Sequence, residues 1–203
     1  MIDLSHPYMN QAAIYLPGMV LALMLGAAVV FDVRAHRIPN KLVLAGIAVG
    51  VALHVTLPAG GGLLDASSAG APGFYKAMLG LASGFAVFLP LYLLRAMGAG
   101  DVKLMAVVGL YLGPASVLDA ALLTLVCGGV MAVIVALWNG VFRHVMTNVR
   151  FMLMHTAVRV MTGGAPRVEA SAHSAGKLPY AVAIAGGVLL QVLLARAGHA
   201  IFA

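Results

Sequence analysis

Acidic side chains are scarce in this chain: only six Asp and Glu stand against twelve Lys and Arg in 203 residues. Charge of either sign is thin, at 9% of residues, where soluble domains carry about 25%. With 63% hydrophobic residues and a mean hydropathy of +1.04, a water-solvated globule is excluded and the bilayer is the expected solvent. The long apolar stretches do not alternate with polar residues, which excludes barrel strands and leaves helices. The fold class expected is therefore all-α, a polytopic membrane protein. Cysteine is nearly absent: Cys127 stands alone in an apolar run, so neither a disulfide framework nor a cysteine zinc site can form within the chain. His6, His36, His54, His144, His155, His173 and His199 are scattered without a ligand pair at helical spacing, and no metal or organic cofactor is expected. Basic residues are dispersed, with no basic-aromatic patch, which argues against a nucleic-acid partner. The N-terminal MIDLSHPYMN has no basic n-region and no small-residue cleavage site comes after it, so the first apolar run is expected to be a mature span and not a signal peptide.

What is present is a series of apolar runs. Residues 11–33, 40–57, 76–96, 116–140 and 179–198 have the length of a span, and 101–113 is a shorter sixth. Counted in chain order with the short run as the fourth of six, Arg34, Arg37, Lys41, Arg95, Lys103, Arg143, Arg150, Arg159, Arg167 and Lys177 all fall at or after the end of the first, third or fifth run, leaving only Lys76 and Arg196 for the other side. The positive-inside rule then gives six transmembrane helices, both termini outside, and Asp32 and Asp101 on the cytoplasmic side. The chain reads as one membrane domain over 1–203, without internal repeats. Residues 58–75 read as an external loop and 163–177 as a polar, turn-forming stretch. Residues 141–162 mix arginines with Val, Met and Phe, as an amphipathic helix on the cytoplasmic surface does. Gly80 and Gly84 have the spacing of a close helix contact.

Two of the acids end or begin apolar runs, and an ionisable group at membrane depth is a functional-site hypothesis by default. Asp32 precedes Arg34, Arg37 and then Ile38-Pro39-Asn40. Pro39 pushes Ile38 toward extended backbone, and Asn40 is placed to cap the second helix, so the chain turns back on itself. Asp101 comes directly after Gly98-Ala99-Gly100, where glycines permit positive φ or close approach. Taken alone, Asp101 also suits an acidic N-cap, and Lys103 suits a headgroup anchor or a partner that tunes the aspartate. Two carboxylates on one side of the bilayer form the pattern of acid–base chemistry on a peptide. Asp101 opens a helix, where the dipole favours negative charge, and Asp32 closes one, where it does not. Unless Arg34 or Arg37 reverses the balance, Asp101 is the expected base and Asp32 the acid.

An aspartate shortly before Ile38-Pro39-Asn40, then Gly98-Ala99-Gly100-Asp101 with Lys103-Leu104 just beyond, resembles the type IV prepilin peptidases, which are GxGD-type intramembrane aspartyl proteases. Lys177-Leu178-Pro179-Tyr180-Ala181 is similar to the family's Pro-Tyr-Gly-like segment, with Ala181 where a glycine is often found. The order of motifs over about 15–198 is most similar to the short TadV/CpaA-type members of tight-adherence (Flp) pilus systems. The resemblance implies a GxGD aspartyl protease-like bundle in the bacterial inner membrane. It implies Asp32 and Asp101 as the catalytic pair, with Pro39, Asn40, Gly98, Gly100, Lys103 and Pro179 as motif and positioning residues. The implied substrate is a prepilin or pseudopilin, cut at the cytoplasmic membrane boundary. Longer family members that also methylate the new N-terminus carry a cytoplasmic region with paired cysteines. No counterpart is seen here, so methyl transfer is not expected. The glycines before Asp101 allow a hinge that closes the pair on substrate. A small proton-coupled transporter and a noncatalytic pilus-assembly protein are the rival classes; the few polar residues within the spans and the missing inverted repeats disfavour the transporter.

Overall fold

The computed structural model describes residues 7–57, 73–94, 96–161 and 178–199, and every regular element among them is a helix. In chain order these are α1 (Pro7–Ala35), α2 (Asn40–Thr56), α3 (Phe74–Leu93), α4 (Ala99–Leu112), α5 (Pro114–Trp138), α6 (Phe142–Met161) and α7 (Tyr180–Arg196). Most of the expected loop at 58–75, the polar stretch 163–177 and Arg95 lie outside the described residues.

Each apolar run of the sequence is a helix, but the helices are not equivalent. Tyr15–Ala35, Phe74–Leu93 and Pro114–Trp138 are long and apolar enough to cross a bilayer, while α2 and α7 have 17 residues each and α4 has 14. Their outward faces are strongly apolar: Leu23, Leu44, Leu189 and Trp138 are 73%, 67%, 61% and 88% exposed. A soluble monomer does not carry apolar surface on this scale; lipid is what these side chains face. The chain is an all-α membrane protein.

The short helix explains the architecture. α4 touches α1, α2, α3, α5 and α7, and those five also contact one another around it, in the order α1, α2, α3, α5, α7 and back to α1. Leu104, Met105, Val107, Val108, Leu110 and Tyr111 of α4 are fully buried, on every side of the helix. A helix that is apolar all round belongs inside a bundle, and α4 is the axis of this one. At 1.5 Å per residue it is about 21 Å long, against a hydrocarbon core of about 30 Å. Its length is tolerable because protein, not lipid, surrounds it. Gly113, at φ +85°, closes α4 and caps α5, and Pro114 opens α5. Proline suits that first turn because its missing N–H has no partner there anyway.

Glycines set the close crossings. A Cβ on Gly80 or Gly109 would overlap the other's carbonyl, and one on Gly84 would meet the carbonyl of Met105. The Gly80/Gly84 spacing is thus the α3–α4 contact. On the other flank Gly128 receives the ring of Tyr180, and Gly187 receives Thr124, fixing α7 against α5. Further along that seam Gln191 Nε2 donates to Asp119 Oδ2 at 3.1 Å, and both side chains are fully buried. Removing one partner of a buried polar pair costs about 1–3 kcal/mol. Gln191→Leu should therefore lower the melting temperature in detergent, and an unchanged melt would show that the pair adds nothing to stability.

α6 touches only α5 among the described helices. Phe151, Met154, Val158 and Met161 are exposed along it, together with Arg143 and Arg150.

Candidate active site

The site is built where four helix ends meet. The last turn of α1 supplies Asp32, which is 7% exposed. The helix closes with His36 N–H donating to the Asp32 carbonyl at 2.8 Å and His36 in the left-handed region at φ +47°. Three residues later Pro39, extended at φ −63° and ψ 132°, is the N-cap of α2. The reversal expected from Ile38-Pro39-Asn40 is therefore a short connection that folds α2 back beside α1.

Asp101 enters from α4. The N-cap is Gly98, and Asp101 is the third residue of the helix, not its cap. Its Oδ2 accepts the Gly98 N–H at 3.1 Å, and its own N–H donates to the Gly98 carbonyl at 3.1 Å. The carboxylate thus reaches back over the helix start as the acidic member of a capping box does. Positive φ plays no part here, because Gly98 is extended at φ −80° and Gly100 is helical. Space is what the glycines supply. A Cβ on Gly98 would lie 3.3 Å from Asp101 Oδ2, and one on Gly100 would lie 3.4 Å from Ile38 Cβ.

Asn40 does not cap α2 with its side chain. Its Oδ1 instead accepts a hydrogen bond from Lys103 Nζ at 3.0 Å, on the exposed rim. The amide expected to cap its own helix, and the lysine expected either at headgroups or beside the aspartate, here join α2 to α4. Their bond crosses the mouth of the site. An exposed hydrogen bond of this kind contributes about 0.5–1.5 kcal/mol. Lys103→Met is therefore expected to leave the fold intact and to lower the melting temperature in detergent only slightly; a large drop would show that the bond holds α2 to α4.

A cavity of about 430 Å³ is lined by Asp32, His36, Arg37, Ile38, Asn40, Gly98, Ala99, Gly100, Asp101 and Lys103. It brings both aspartates together with Asn40, Gly98, Gly100 and Lys103. Pro39 and Pro179 are not among the lining residues; each is an N-cap, of α2 and α7. Pro179 matters because it starts α7 beside Asp32: two residues on, the Ala181 N–H donates to Asp32 Oδ2 at 2.9 Å, out of contact with solvent. Asp32 therefore sits at the N-terminus of α7 as well as near the C-terminus of α1. The dipole argument that would have made Asp101 the base no longer separates the two, because each carboxylate accepts a main-chain N–H at a helix start.

Chemically, the arrangement is two carboxyl groups sharing one cavity, each with one oxygen tied to main chain and the other left for a guest or for a shared proton. Among the described residues no three His, Cys, Asp or Glu side chains converge as a metal site. Three participants were missed in the sequence. Asp119 carries the signal of an acid inside an apolar run, which was available to be read. Gln191 carries none, because its partner lies 72 residues away; Ala181 stood in a segment already singled out, but nothing local pairs its N–H with Asp32, 149 residues away.

Fold and site together define a helical membrane protein with a paired-carboxylate cavity at one end of its bundle. A model of the type IV leader peptidase family matches residues 19–133. The chain belongs to that family, and is a leader peptidase embedded in the membrane. The matched span includes Asp32, Asp101 and the α3–α4 crossing, and stops before α7. No curated protein and no solved structure matches the chain.

Proposed function

We propose that this leader peptidase is an aspartic endopeptidase that removes the leader from Flp-type prepilins and pseudopilins, with Asp32 and Asp101 as its catalytic pair. The observation that carries the reading is the shared cavity of two carboxyl groups drawn from α1 and α4. The resemblance to tight-adherence pilus peptidases supplies the substrate.

The chemistry comes from the pair. Two carboxyls in one cavity resist ionising together, so over a range of pH they hold a single proton between them, and the titration belongs to the pair. The ionised member takes a proton from water as the water oxygen bonds to the scissile carbonyl carbon. The protonated member gives its proton to the carbonyl oxygen. On collapse of the tetrahedral intermediate the C–N bond breaks, the leaving nitrogen takes up the proton first removed from water, and a hydroxyl proton returns to the carboxylate that had donated one, which restores the carbonyl and leaves the pair again holding a single proton. Both tied oxygens hold their carboxyls still while the free ones exchange protons.

In the bilayer, the chain forms one domain with six spans in the bacterial inner membrane, α4 being the buried sixth. The termini lie outside, the cavity opens on the cytoplasmic side, and α6 lies along that surface. The charge distribution supports this topology, as do the exposed Arg143 and Arg150 among apolar side chains on α6. A basic prepilin leader then meets the cavity from the cytoplasm while its apolar helix stays in lipid.

Coexpression with an Flp-type prepilin tests the reading. Cells carrying this chain should convert the prepilin to a faster-migrating form whose mass corresponds to leader removal. An unprocessed prepilin, with the chain present in the membrane, would overturn the substrate assignment.

A further inference from the structure

We propose that the N-terminus of α7 is the positioning element of the pair, acting through the main-chain N–H of Ala181 on Asp32; this rests on the reading of Asp32 and Asp101 as the cleaving carboxyls. The first four N–H groups of a helix have no partner inside it. Ala181 is the second residue of α7, so its N–H is free to serve another element. It serves Asp32 at 2.9 Å, in a buried setting, from 149 residues away in sequence.

Three contacts along α5 hold that N–H in place. Near the site the Tyr180 ring packs on Gly128, midway Thr124 packs on Gly187, and at the far end Gln191 donates to Asp119. The register of α7 is therefore set by α5, and α7 in turn sets the carboxylate of α1. Asp32 lies in the last turn of α1, one turn before the left-handed His36, where its own helix offers its side chain no N–H donor. With Oδ2 committed to Ala181, the other oxygen is the one presented to the cavity that Asp32 lines. Asp101 is anchored within its own helix start by Gly98. One member of the pair is thus fixed locally and the other by a distant helix.

The inference also explains residue 181. Its side chain is fully buried, so smallness is required there, while the interaction with Asp32 comes from the main chain and any residue but proline can supply it.

Replacing Ala181 by lactic acid through nonsense suppression turns one amide into an ester and deletes that N–H alone. Full-length ester protein, assayed on the coexpressed prepilin, is expected to lose about tenfold in kcat with KM unchanged, in line with a hydrogen bond to a charged group. The Asp32 carboxylate band, assigned by infrared difference against Asp32→Asn, should shift. Wild-type kcat with an unshifted band would overturn the proposal. A second measurement does not depend on the ester folding. In Asp32→Ala the Ala181 amide should exchange hydrogen at least about tenfold faster than in wild type, because it has lost its acceptor; equal protection would also overturn it. Neither the band nor the exchange rate depends on cleavage. Processing that survives both Asp32→Asn and Asp101→Asn would therefore remove the peptidase mechanism without touching this contact.

Discussion

Asp32→Asn and Asp101→Asn are each expected to abolish leader removal, and the double variant to be no worse than either single one. The amide is nearly isosteric with the carboxyl and keeps an oxygen that can accept the Ala181 or Gly98 N–H. The bundle should therefore stay folded, and the loss should be chemical. An amide neither takes a proton from water nor gives one to a developing oxyanion. A positioned acid or base contributes about 10²–10⁴ in rate, and residues acting as a unit lose about the same whether one or both are removed. Processing of a coexpressed prepilin, tracked on gels and by mass, reads the result. If either variant retains more than about a tenth of wild-type processing, that residue is not half of a two-carboxyl mechanism.

Gly80→Val and Gly109→Val should be the most disruptive substitutions for assembly. In both cases the new Cβ is driven into the main chain of the facing helix. Overpacking costs about 1–3 kcal/mol even where side chains can move aside, and a carbonyl in the middle of a helix cannot. The expected cost exceeds about 3 kcal/mol, a large share of the about 5–15 kcal/mol that holds a typical domain folded. Size-exclusion profiles and thermal melts in detergent should show aggregated or unfolded material. Gly26→Val is the control, because a Cβ there meets nothing within 4 Å. Equal behaviour of all three variants would mean that the α3–α4 crossing is not closely packed.

These two results probe features that were unequally legible in the sequence. Lipid as solvent, helices over each apolar run, and Asp32 and Asp101 as the residues to watch come from composition and from the placement of rare acids. That α4 is the axis of the bundle did not. Hydropathy registers that Leu104 or Val108 avoids water, but it does not say whether lipid or protein receives the side chain. Its short length was the clue, since a helix that cannot reach across lipid on its own must be covered by neighbours. The Gly80 and Gly84 spacing announced a close contact, and Gly109 with Gly113 repeats that spacing at the end of α4, a signal that was there but went unread.

At the site, local rules misplaced three details, two of them because a distant helix outcompeted the local partner. Asn40 gave its oxygen to Lys103, 63 residues on. Asp101 is the third residue of its helix because Gly98 takes the N-cap, and the aspartate reaches back to its N–H. The contrast drawn between the two helix dipoles omitted α7, whose start lies against Asp32. Asp119 is different: the rule that flags acids in apolar runs applied to it, and it stood outside the pair only because no motif surrounded it.

The hydrogen bond between Asp32 and Ala181 joins the first described helix to the last. During biogenesis, α1 leaves the ribosome long before α7, and a nascent chain that already carries both aspartates still lacks the contact that orients one of them. Correct placement of that carboxylate therefore waits on the synthesis of α7: a nascent or truncated product that stops short of it, even if inserted, would carry both acids in the membrane without the contact that orients one of them.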